Sequence, residues 1–200
     1  MCIRDRIHAI LDNIIPHEKR IGDKIFTQYF VKPVQSFIAM SESVMQDLNT
    51  FNTKKARMYS PHPLFDNFGD RMDKTLAREK LQLEADDKVI LFFGFVRAYK
   101  GLDLLLEAMQ NSKIAEQNIK LIIAGEYYED QEKYAKLINH PALKNKVIEV
   151  NEFIPNNEVS YYFSAADIVV QPYKTATQSG VTQIAYHFNK PMIVTNVGGL

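Results

Sequence analysis

Five short apolar runs separated by helical segments constrain the fold of this chain more than any other feature. They are VILFFGF (89–95), KLIIAG (120–125), VIEV (147–150), DIVVQPY (167–173) and PMIVT (191–195). Because each run is continuously apolar, the runs are typical of strands that are covered on both faces. The pattern predicts an α/β fold in which helices cover both sides of a doubly wound parallel sheet.

The connections of such a sheet indicate where a ligand would bind. Parallel strands end at a common edge, and ligands lie beyond that edge, at the carboxyl ends of the strands. We therefore expect the loops at 94–101, 125–128, 151–156 and 173–180 to line one crevice.

The residues before these runs predict further helices and a strand. Apolar residues recur at helical spacing over 18–32, which indicates one amphipathic helix. FIAM (37–40) is typical of a short buried strand, and Ser41 is placed to cap a helix that extends to Leu48.

A linker is predicted where periodicity is lost. Residues 50–75 collect prolines, a glycine and many charges, as expected between two domains. We predict one partial domain over 1–58, a linker over 59–75 and a second, incomplete domain over 76–200.

Composition excludes several classes of protein. The 24 basic and 24 acidic residues cancel, so the chain lacks the positive field of a dedicated nucleic-acid binder. Cys2 is the only cysteine, which excludes an internal disulfide and favours a cytoplasmic location. No apolar run approaches the ~20 residues of a membrane span, and MCIRDRIHAI lacks the apolar stretch of a signal peptide. A peripheral membrane contact stays open.

Both ends of the sequence predict a fragment. The last residues, PMIVTNVGGL, form an expected strand and a Gly-Gly turn with no polar tail. At the other end, MCIRDR (1–6) enters the patterned region abruptly, and whether these residues are native stays open.

The loop after the first run carries two cations. Arg97 and Lys100 lie between Gly94 and the helix expected from Leu102. An arginine supplies a planar fork of donors and a lysine a mobile point charge, a pair suited to gripping a diphosphate. A solvated basic turn explains the same spacing equally well.

Two further strand ends carry residues suited to a nucleoside. Gly125 is followed by Glu126, whose carboxylate is placed to reach a ribose or sugar hydroxyl, although solvation or helix capping is the commoner role of such a glutamate. Phe153 and Ile154 follow the third run and are placed to cover a flat base, although core packing is the commoner role of each.

The stretch TATQSGVTQIAYHFNKP (175–191) predicts a helix whose first turn comprises Gln178, Ser179 and Gly180. The residues expected on its buried face are Val181, Ile184, Ala185 and Phe188. Free N–H groups and the positive end of the helix dipole favour a phosphate at that turn without any charged side chain. Ordinary capping by Thr177 or Ser179 is the stronger explanation when this stretch is considered alone.

Other chemistries lack a supporting pattern. There is no GxxxxGK[ST] loop, no GxGxxG after a strand and no GxSxG elbow, so NTP hydrolysis, the usual dinucleotide fingerprint and serine hydrolysis are disfavoured. The five histidines lack the spacing of metal ligands, and neither a metal nor a cofactor is expected.

Four segments, in their order and spacing, resemble the group-1 glycosyltransferases, a retaining family built from two Rossmann-like lobes. They are GFVRAYKGLDLLLEAM, LIIAGEYYED, VNEFIPNNEVSYYFSAADIVVQPY and SGVTQIAYHFNKPMIVTNVGG. The resemblance covers roughly residues 88–200, most of the donor-binding lobe, and LDNIIPHEKR with FIAMSESV is more weakly similar to the end of the acceptor-binding lobe. It implies a Rossmann-like sheet in a two-lobe, glycosyltransferase B-type fold that is truncated at both ends.

The resemblance implies transfer of a sugar from a nucleotide-diphosphate sugar to an acceptor hydroxyl, with retention and without a metal. It also implies a glycan or lipid-linked acceptor, typically at the inner membrane face, and a role in polysaccharide or glycoconjugate biosynthesis. The loop 125–127 and residues 153–154 would face the base and the ribose.

The same resemblance gives three elements catalytic or phosphate-binding roles. Arg97 and Lys100 would neutralise the departing diphosphate, and residues 179–181 would bind phosphate through their backbone. Fixed donors at the leaving oxygens stabilise the transition state more than the ground state. His17, in NIIPHE, matches a histidine that lies near the donor sugar in many relatives.

The sequence also departs from the family pattern. Many members carry two glutamates at positions that are Ala176 and Ile184 here, and Phe95 stands where a basic residue is usual, with Arg97 two places further on. Residues that could substitute for the acids are Gln178, Gln183 and Glu126. Because the changes occur together, they indicate a subfamily variant. A non-catalytic nucleotide-sugar-binding module and an inactive isolated chain are the alternatives.

Overall fold

The structure is a computed structural model that describes residues 6–16, 20–51 and 54–200. The chain divides into two units. The first contains the described residues up to Pro63 together with Thr175–Ser179 and Asn196–Leu200, and the second contains Leu64–Lys174 and Gly180–Thr195.

The first unit contains a three-stranded parallel sheet of order β1-β2-β3. Its strands are β1 (His8–Leu11), β2 (Ser36–Ala39) and β3 (Ala56–Tyr59), and its helices are α1 (Asp23–Val31) and α2 (Glu42–Asp47). The predicted strand at 37–40 and the Ser41 cap are confirmed, since the Ser41 hydroxyl accepts a hydrogen bond from the Val44 N–H at 3.3 Å. Strand β3 was not predicted, because all four of its residues are exposed and lack an apolar pattern.

Helix α1 differs from the prediction in where its apolar side chains lie. The predicted helix over 18–32 begins at Asp23 in the structure, after Gly22 with a φ of 98°. Ile25, Phe26 and Tyr29 are 70%, 73% and 76% exposed, and among the α1 residues only Val31 is buried. The helical period was therefore read correctly, but the apolar face does not pack into the core of the described first unit.

The second unit contains a five-stranded parallel sheet of order β6-β5-β4-β7-β8. Its strands are β4 (Lys88–Phe93), β5 (Ile119–Ala124), β6 (Val147–Val150), β7 (Ile168–Gln171) and β8 (Met192–Val194). All five predicted strands and their parallel pairing are confirmed. The chain starts at the central strand β4, builds outward to β6 and then returns to the other side of β4. That reversal opens a crevice between the loops after β4 and β7.

Helices cover both faces of this sheet. They are α3 (Lys74–Lys80), α4 (Leu102–Met109), α5 (Ser112–Ala115), α6 (Gln131–Ile138), α7 (Val159–Ala165) and α8 (Gly180–His187). Alternate residues of β4 enter different cores: Leu91 packs with α7 and α8, whereas Phe92 packs with α4 and α6. The continuous hydrophobicity of the strands thus has the expected cause, burial on two sides.

Part of the predicted linker belongs to the second unit. Phe65, Phe68 and Met72 pack against the core that contains Leu91. Helix α3, which follows, was not predicted from the sequence. Its amino end is capped by Asp73, whose carboxylate accepts hydrogen bonds from the backbone N–H groups of Thr75 and Leu76.

None of the helices in the described part of the chain is both long and apolar enough to span a lipid bilayer.

Candidate functional site

The loops after β4, β5 and β6 surround a cavity of about 230 Å³ at the carboxyl edge of the second sheet. The cavity lies at the carboxyl edge, where parallel sheets bind ligands, but on the β4–β6 side of the reversal, and no residue of the loop after β7 lines it. The predicted site residues that line it are Gly94, Lys100, Gly125, Glu126, Phe153 and Ile154. The structure therefore brings together residues from three of the four predicted loops.

Two glycines let the first two of these loops approach each other. Gly94 and Gly125 have positive φ angles of 89° and 146°. A Cβ atom on Gly125 would lie 2.3 Å from the carbonyl oxygen of Gly94, which no side chain tolerates. A Cβ atom on Gly94 would lie 3.1 Å from the Lys100 Nζ, so the absence of a side chain there leaves space beside the ammonium group.

Lys100 supplies a buried positive charge to the cavity. It ends a short 3₁₀ turn, Ala98–Lys100, and only 9% of it is exposed. Within residues 6–16, 20–51 and 54–200, no group accepts a hydrogen bond or forms an ion pair with its ammonium; the nearest described ring, that of Tyr173, is 5.8 Å away. Burial, and secondarily the charge of Arg97, lowers the pKa of Lys100 to about 8. An anion in the cavity would relieve this unfavourable burial.

The start of α8 lies beside the same loop. The Val181 Cγ2 atom would be 3.6 Å from a Cβ atom on Gly94, which places the first turn of α8 close to Lys100 Nζ. The helix begins at Gly180, and a Cβ atom there would meet the Phe65 ring at 2.8 Å. The predicted buried face is confirmed, since Val181, Ile184, Ala185 and Phe188 are all at most 8% exposed.

Gln178 and Ser179 are part of the first unit. The Gln178 Nε2 donates a hydrogen bond to Asp12 Oδ1 at 2.6 Å, and the Thr177 hydroxyl donates to the Asp12 carbonyl at 3.2 Å. The Gln178 amide nitrogen is therefore engaged by protein. A role for Gln178 or Ser179 in donor binding stays a prediction.

Arg97 makes a different contact from Lys100. Its guanidinium lies over the Tyr128 ring, with 4.9 Å between Cζ and the ring centroid, and Arg97 does not line the cavity. Its charge nevertheless contributes to the lowered pKa of Lys100. The two cations thus belong to one neighbourhood, with Lys100 facing the cavity and Arg97 at its margin.

Sequence reasoning missed two residues of the site. Phe68 comes from the predicted linker and Val159 is the first residue of α7, and both line the cavity. Asn156, which also lines it, belongs to the predicted loop 151–156. An isolated phenylalanine in a segment without periodicity carries no signal of its own. His17, predicted to lie near the donor sugar, falls outside the described residues.

The described residues contain no group of three or more His, Cys, Asp or Glu side chains that could hold a metal ion.

Comparison with known families agrees with this geometry. The family described as glycosyl transferases group 1 matches residues 73–200, which is more than half of the chain. The chain belongs to this family.

Two curated relatives of this group 1 chain illustrate the likeness. An uncharacterized glycosyltransferase of Methanocaldococcus jannaschii is 31% identical over 134 residues, which cover 64% of this chain and 32% of the relative. D-inositol 3-phosphate glycosyltransferase 1 of Catenulispora acidiphila is 30% identical over 136 residues, which cover 64% of this chain and 32% of the relative. The chain thus matches about a third of the length of these relatives.

Solved structures of glycosyltransferases share the fold. Anabaena HepE, crystallised with UDP and glucose, superposes with a TM-score of 0.82 at 17% identity, over 98% of this chain and 54% of HepE. WaaG, a glycosyltransferase involved in lipopolysaccharide biosynthesis, gives a TM-score of 0.73 at 15% identity, over 98% of this chain and 60% of WaaG. The fold is therefore part of the two-lobe, glycosyltransferase B-type architecture, with a Rossmann-like doubly wound sheet.

Proposed function

We propose that the second unit binds the nucleoside diphosphate of a nucleotide-sugar donor, and that the whole protein transfers the sugar to an acceptor hydroxyl. The proposal rests most heavily on Lys100, a buried cation that lines the cavity and has no ion-pair partner among the described residues. A diphosphate would supply that partner. Membership of a glycosyltransferase family supports the same conclusion. A structural neighbour, HepE, was crystallised with UDP and glucose, which supports it further.

Electrostatics give Lys100 its proposed catalytic role. Negative charge grows on the diphosphate oxygens as the bond to the sugar breaks, so a fixed cation in a poorly solvated cavity stabilises the transition state. The free N–H groups at the start of α8 would share this charge with Lys100. Arg97 lies within electrostatic range of Lys100 and would complete the positive environment.

The other lining residues suit a nucleoside. Glu126 presents a carboxylate to the cavity, and Phe153, with 62% of it exposed, presents an aromatic ring beside it. A carboxylate accepts hydrogen bonds from ribose hydroxyls, and an aromatic ring covers a flat base. We propose these roles for Glu126 and Phe153, with Ile154 beneath the base.

The remaining features of the reaction follow the family resemblance and are part of the same proposal. They are retention at the anomeric carbon, independence of a metal, a glycan or lipid-linked acceptor, and a role in polysaccharide or glycoconjugate biosynthesis. A cytoplasmic location with peripheral contact at the inner membrane face suits such an acceptor. Since this chain matches only part of its relatives, we expect turnover from the full-length parent and not from the isolated chain.

Binding of a nucleoside diphosphate tests the proposal directly, because every lining residue of the cavity belongs to the second unit. We expect Lys100→Ala to weaken binding of UDP, measured by calorimetry at pH 7, by about 1.5–3 kcal/mol, the size of a charge-assisted hydrogen bond. Lys88→Ala is the matched control, since Lys88 is an exposed lysine at the amino end of β4, the strand that precedes the Lys100 loop.

The pH dependence of the same binding gives a second readout. Only the protonated amine pairs with a diphosphate, and the pKa of Lys100 in the free protein is about 8. Affinity should therefore be highest below pH 8 and fall as the pH rises to 9.5, and Lys100→Ala should remove that fall. Equal UDP affinity in wild type and Lys100→Ala would contradict the proposal.

A second function, a non-catalytic nucleotide-sugar-binding module, is favoured by one observation. Ala176 and Ile184 stand where many relatives have glutamates, and in the structure both are buried apolar residues, 7% and 5% exposed. Turnover of a nucleotide sugar by the full-length parent, lost in Arg97→Ala and Lys100→Ala, would decide for the enzyme. Tight binding without turnover would decide for the module.

A further inference from the structure

The loops after β4 and β5 are joined by backbone hydrogen bonds beyond the end of the sheet. Val96 and Tyr127 form a parallel bridge outside the strands. The Val96 N–H donates to the Glu126 carbonyl at 2.8 Å, and the Tyr128 N–H donates to the Val96 carbonyl at 3.1 Å. The Tyr127 N–H in turn donates to the Asn151 side chain at 3.3 Å, which ties the same loop to the one after β6. The loop at 126–128 is thus held on both sides.

This pairing sorts the side chains of the two loops onto opposite sides. Side chains alternate along extended backbone, and Val96 and Tyr127 point into the core, where they are 0% and 9% exposed. Their chain neighbours therefore project the other way, away from this core. These neighbours are Phe95, Arg97, Glu126 and Tyr128.

Tyr128 contacts the other three members of this group. Its hydroxyl donates a hydrogen bond to Glu126 Oε2 at 3.1 Å. Its ring packs edge-to-face on Phe95 with 4.8 Å between the centroids, and the Arg97 guanidinium covers it at 4.9 Å. Phe95 and Glu126 line the cavity, whereas Tyr128 does not, so Tyr128 can act on a ligand only through its neighbours.

From this geometry we infer that Tyr128 is a positioning residue that fixes the Glu126 carboxylate for recognition of the ribose hydroxyls of a bound nucleotide. Glu126 Oε2 accepts from Tyr128, and within the described residues no group donates to Oε1, which is left for the ligand. The inference rests on the proposed function. It specifies that the site binds a ribonucleotide in preference to a 2′-deoxyribonucleotide.

The contacts of the Tyr128 ring make its hydroxyl an effective anchor. Glutamate has several rotatable bonds, and an exposed carboxylate without a fixed partner samples many rotamers. Packing between Phe95 and Arg97 restrains the phenol, so the hydrogen bond holds the carboxylate in one direction. The hydrogen bond to Glu126 raises the pKa of the Tyr128 phenol above its ordinary value, and the group stays a neutral donor at pH 7.

The test compares ribonucleotides with 2′-deoxyribonucleotides as ligands of the 200-residue chain. UDP and 2′-deoxy-UDP are titrated into wild type, Glu126→Ala, Tyr128→Phe and Tyr161→Phe, with the ADP and GDP pairs as further probes. We expect wild type to bind one ribonucleotide about tenfold or more tightly than its 2′-deoxy form, the effect of a hydrogen bond to a charged acceptor. Tyr161 is the matched control, a tyrosine on α7 whose ring lies under the Lys80 ammonium at 3.8 Å.

The expected pattern separates positioning from simple structural damage. The ribose preference is the ratio of the affinity for a ribonucleotide to the affinity for its 2′-deoxy form. Glu126→Ala should bring this ratio close to one, and Tyr128→Phe should reduce it by about three- to tenfold. In Tyr128→Phe the affinity for the 2′-deoxynucleotide should stay unchanged, because the ring contacts with Phe95 and Arg97 persist. Tyr161→Phe should behave as wild type.

The other outcomes each overturn the inference in a recognisable way. If the ribose preference is lost in Glu126→Ala but intact in Tyr128→Phe, then Glu126 contacts the ribose and Tyr128 has no positioning role. A preference absent in wild type, or intact in Glu126→Ala, would show that Glu126 does not read the ribose, while nucleotide binding itself stands. Absence of binding to every nucleoside diphosphate would reject the proposed function together with the inference.

Discussion

At the scale of single residues, Lys100 and Ile184 are both buried but affect the stability of the fold in opposite ways. Lys100 is 9% exposed, and its ammonium has no hydrogen-bond or ion-pair partner within the described residues, an arrangement that costs stability and suits an anionic ligand. Ile184 is 5% exposed and belongs to the core that also contains Phe163 and Phe188. We therefore expect Lys100 to serve a ligand, whereas Ile184 contributes to the stability of the fold.

Placing an acid at Ile184 tests whether that position faces the core or the ligand. We expect Ile184→Glu to lower the free energy of unfolding by on the order of 3–5 kcal/mol, because an unpaired carboxylate would be buried among apolar side chains. Urea denaturation measures the loss, and Ile184→Val, which should cost about 0.5–1.5 kcal/mol, is the control for packing alone. A glutamate variant of full stability that binds UDP more tightly would show that the position faces the site.

At the scale of elements, charged side chains at the strand ends tie the helices to the second sheet. Arg78, on α3, is an example: its five N–H donors reach the carbonyls of Glu84, Ala85, Asp87 and Ala165 and the carboxylate of Asp167. Arg78 is only 5% exposed, but each of its N–H donors has an acceptor within the protein. Arg78 is therefore a structural cation that requires no ligand. This distinguishes it from Lys100.

Asp103 joins three elements of the second unit at the other end of the sheet. It lies in the first turn of α4 and accepts hydrogen bonds at 2.7 Å from Lys133, on α6, and from Lys174, just after β7. Burial acts to raise the pKa of Asp103, but hydrogen bonds from the two lysines outweigh it, and the pKa lies below its ordinary value of 3.8. A pKa lowered by folding means that the ionised carboxylate stabilises the folded state.

We expect Asp103→Asn to lower the free energy of unfolding at pH 7 by about 1–3 kcal/mol, the value of hydrogen bonds to a charged group. The wild-type advantage is fully present above the ordinary pKa of 3.8 and should fade as the pH falls through the lower pKa of the folded state. Urea denaturation at pH 7 and pH 2.5 measures both effects, with the exposed Asp86→Asn as control. An equal loss for Asp103→Asn at both pH values would show that packing, not charge, explains it.

At the scale of the whole molecule, the cavity proposed to bind the donor is lined by residues of one of the two units. Ligand binding to a folded unit stabilises it by mass action, about 2.7 kcal/mol at a ligand concentration one hundred times the dissociation constant. The identity of the donor should therefore be visible as a rise in the melting temperature of the chain.

A thermal screen of nucleotide sugars is expected to give one group with a common base that raises the melting temperature by about 5–10 °C at saturating concentration. The physical reason is that the cavity proposed to hold the base and the diphosphate is lined by the second unit, so the ligand would bind only the folded form of that unit. Lys100→Ala should abolish the shift for the same ligands. If the rise in melting temperature is the same for every base and is unchanged in Lys100→Ala, it would indicate a nonspecific effect of ionic strength.

Much of the second unit could be predicted from local pattern. The strands from β4 to β8 and the buried face of α8 follow from hydrophobic periodicity, which depends only on neighbours in sequence. Strand β3 and helix α3 escaped prediction because β3 is short and wholly exposed and α3 carries charges in place of an apolar stripe. The apolar face of α1 was predicted from its period, but its exposure was not.

The sequence by itself determined the α/β class, the parallel sheet and the loops that carry Lys100 and Glu126, because strand spacing and loop position are properties of a continuous stretch of chain. Only the tertiary structure decided that Lys100 is buried with no ion-pair partner among the described residues and that Phe68 lines the cavity. It also decided that Tyr128 donates a hydrogen bond to Glu126 and that its ring contacts both Phe95 and Arg97. Burial and contact depend on segments that are far apart in sequence and meet only when the sheet assembles, so no local pattern encodes them.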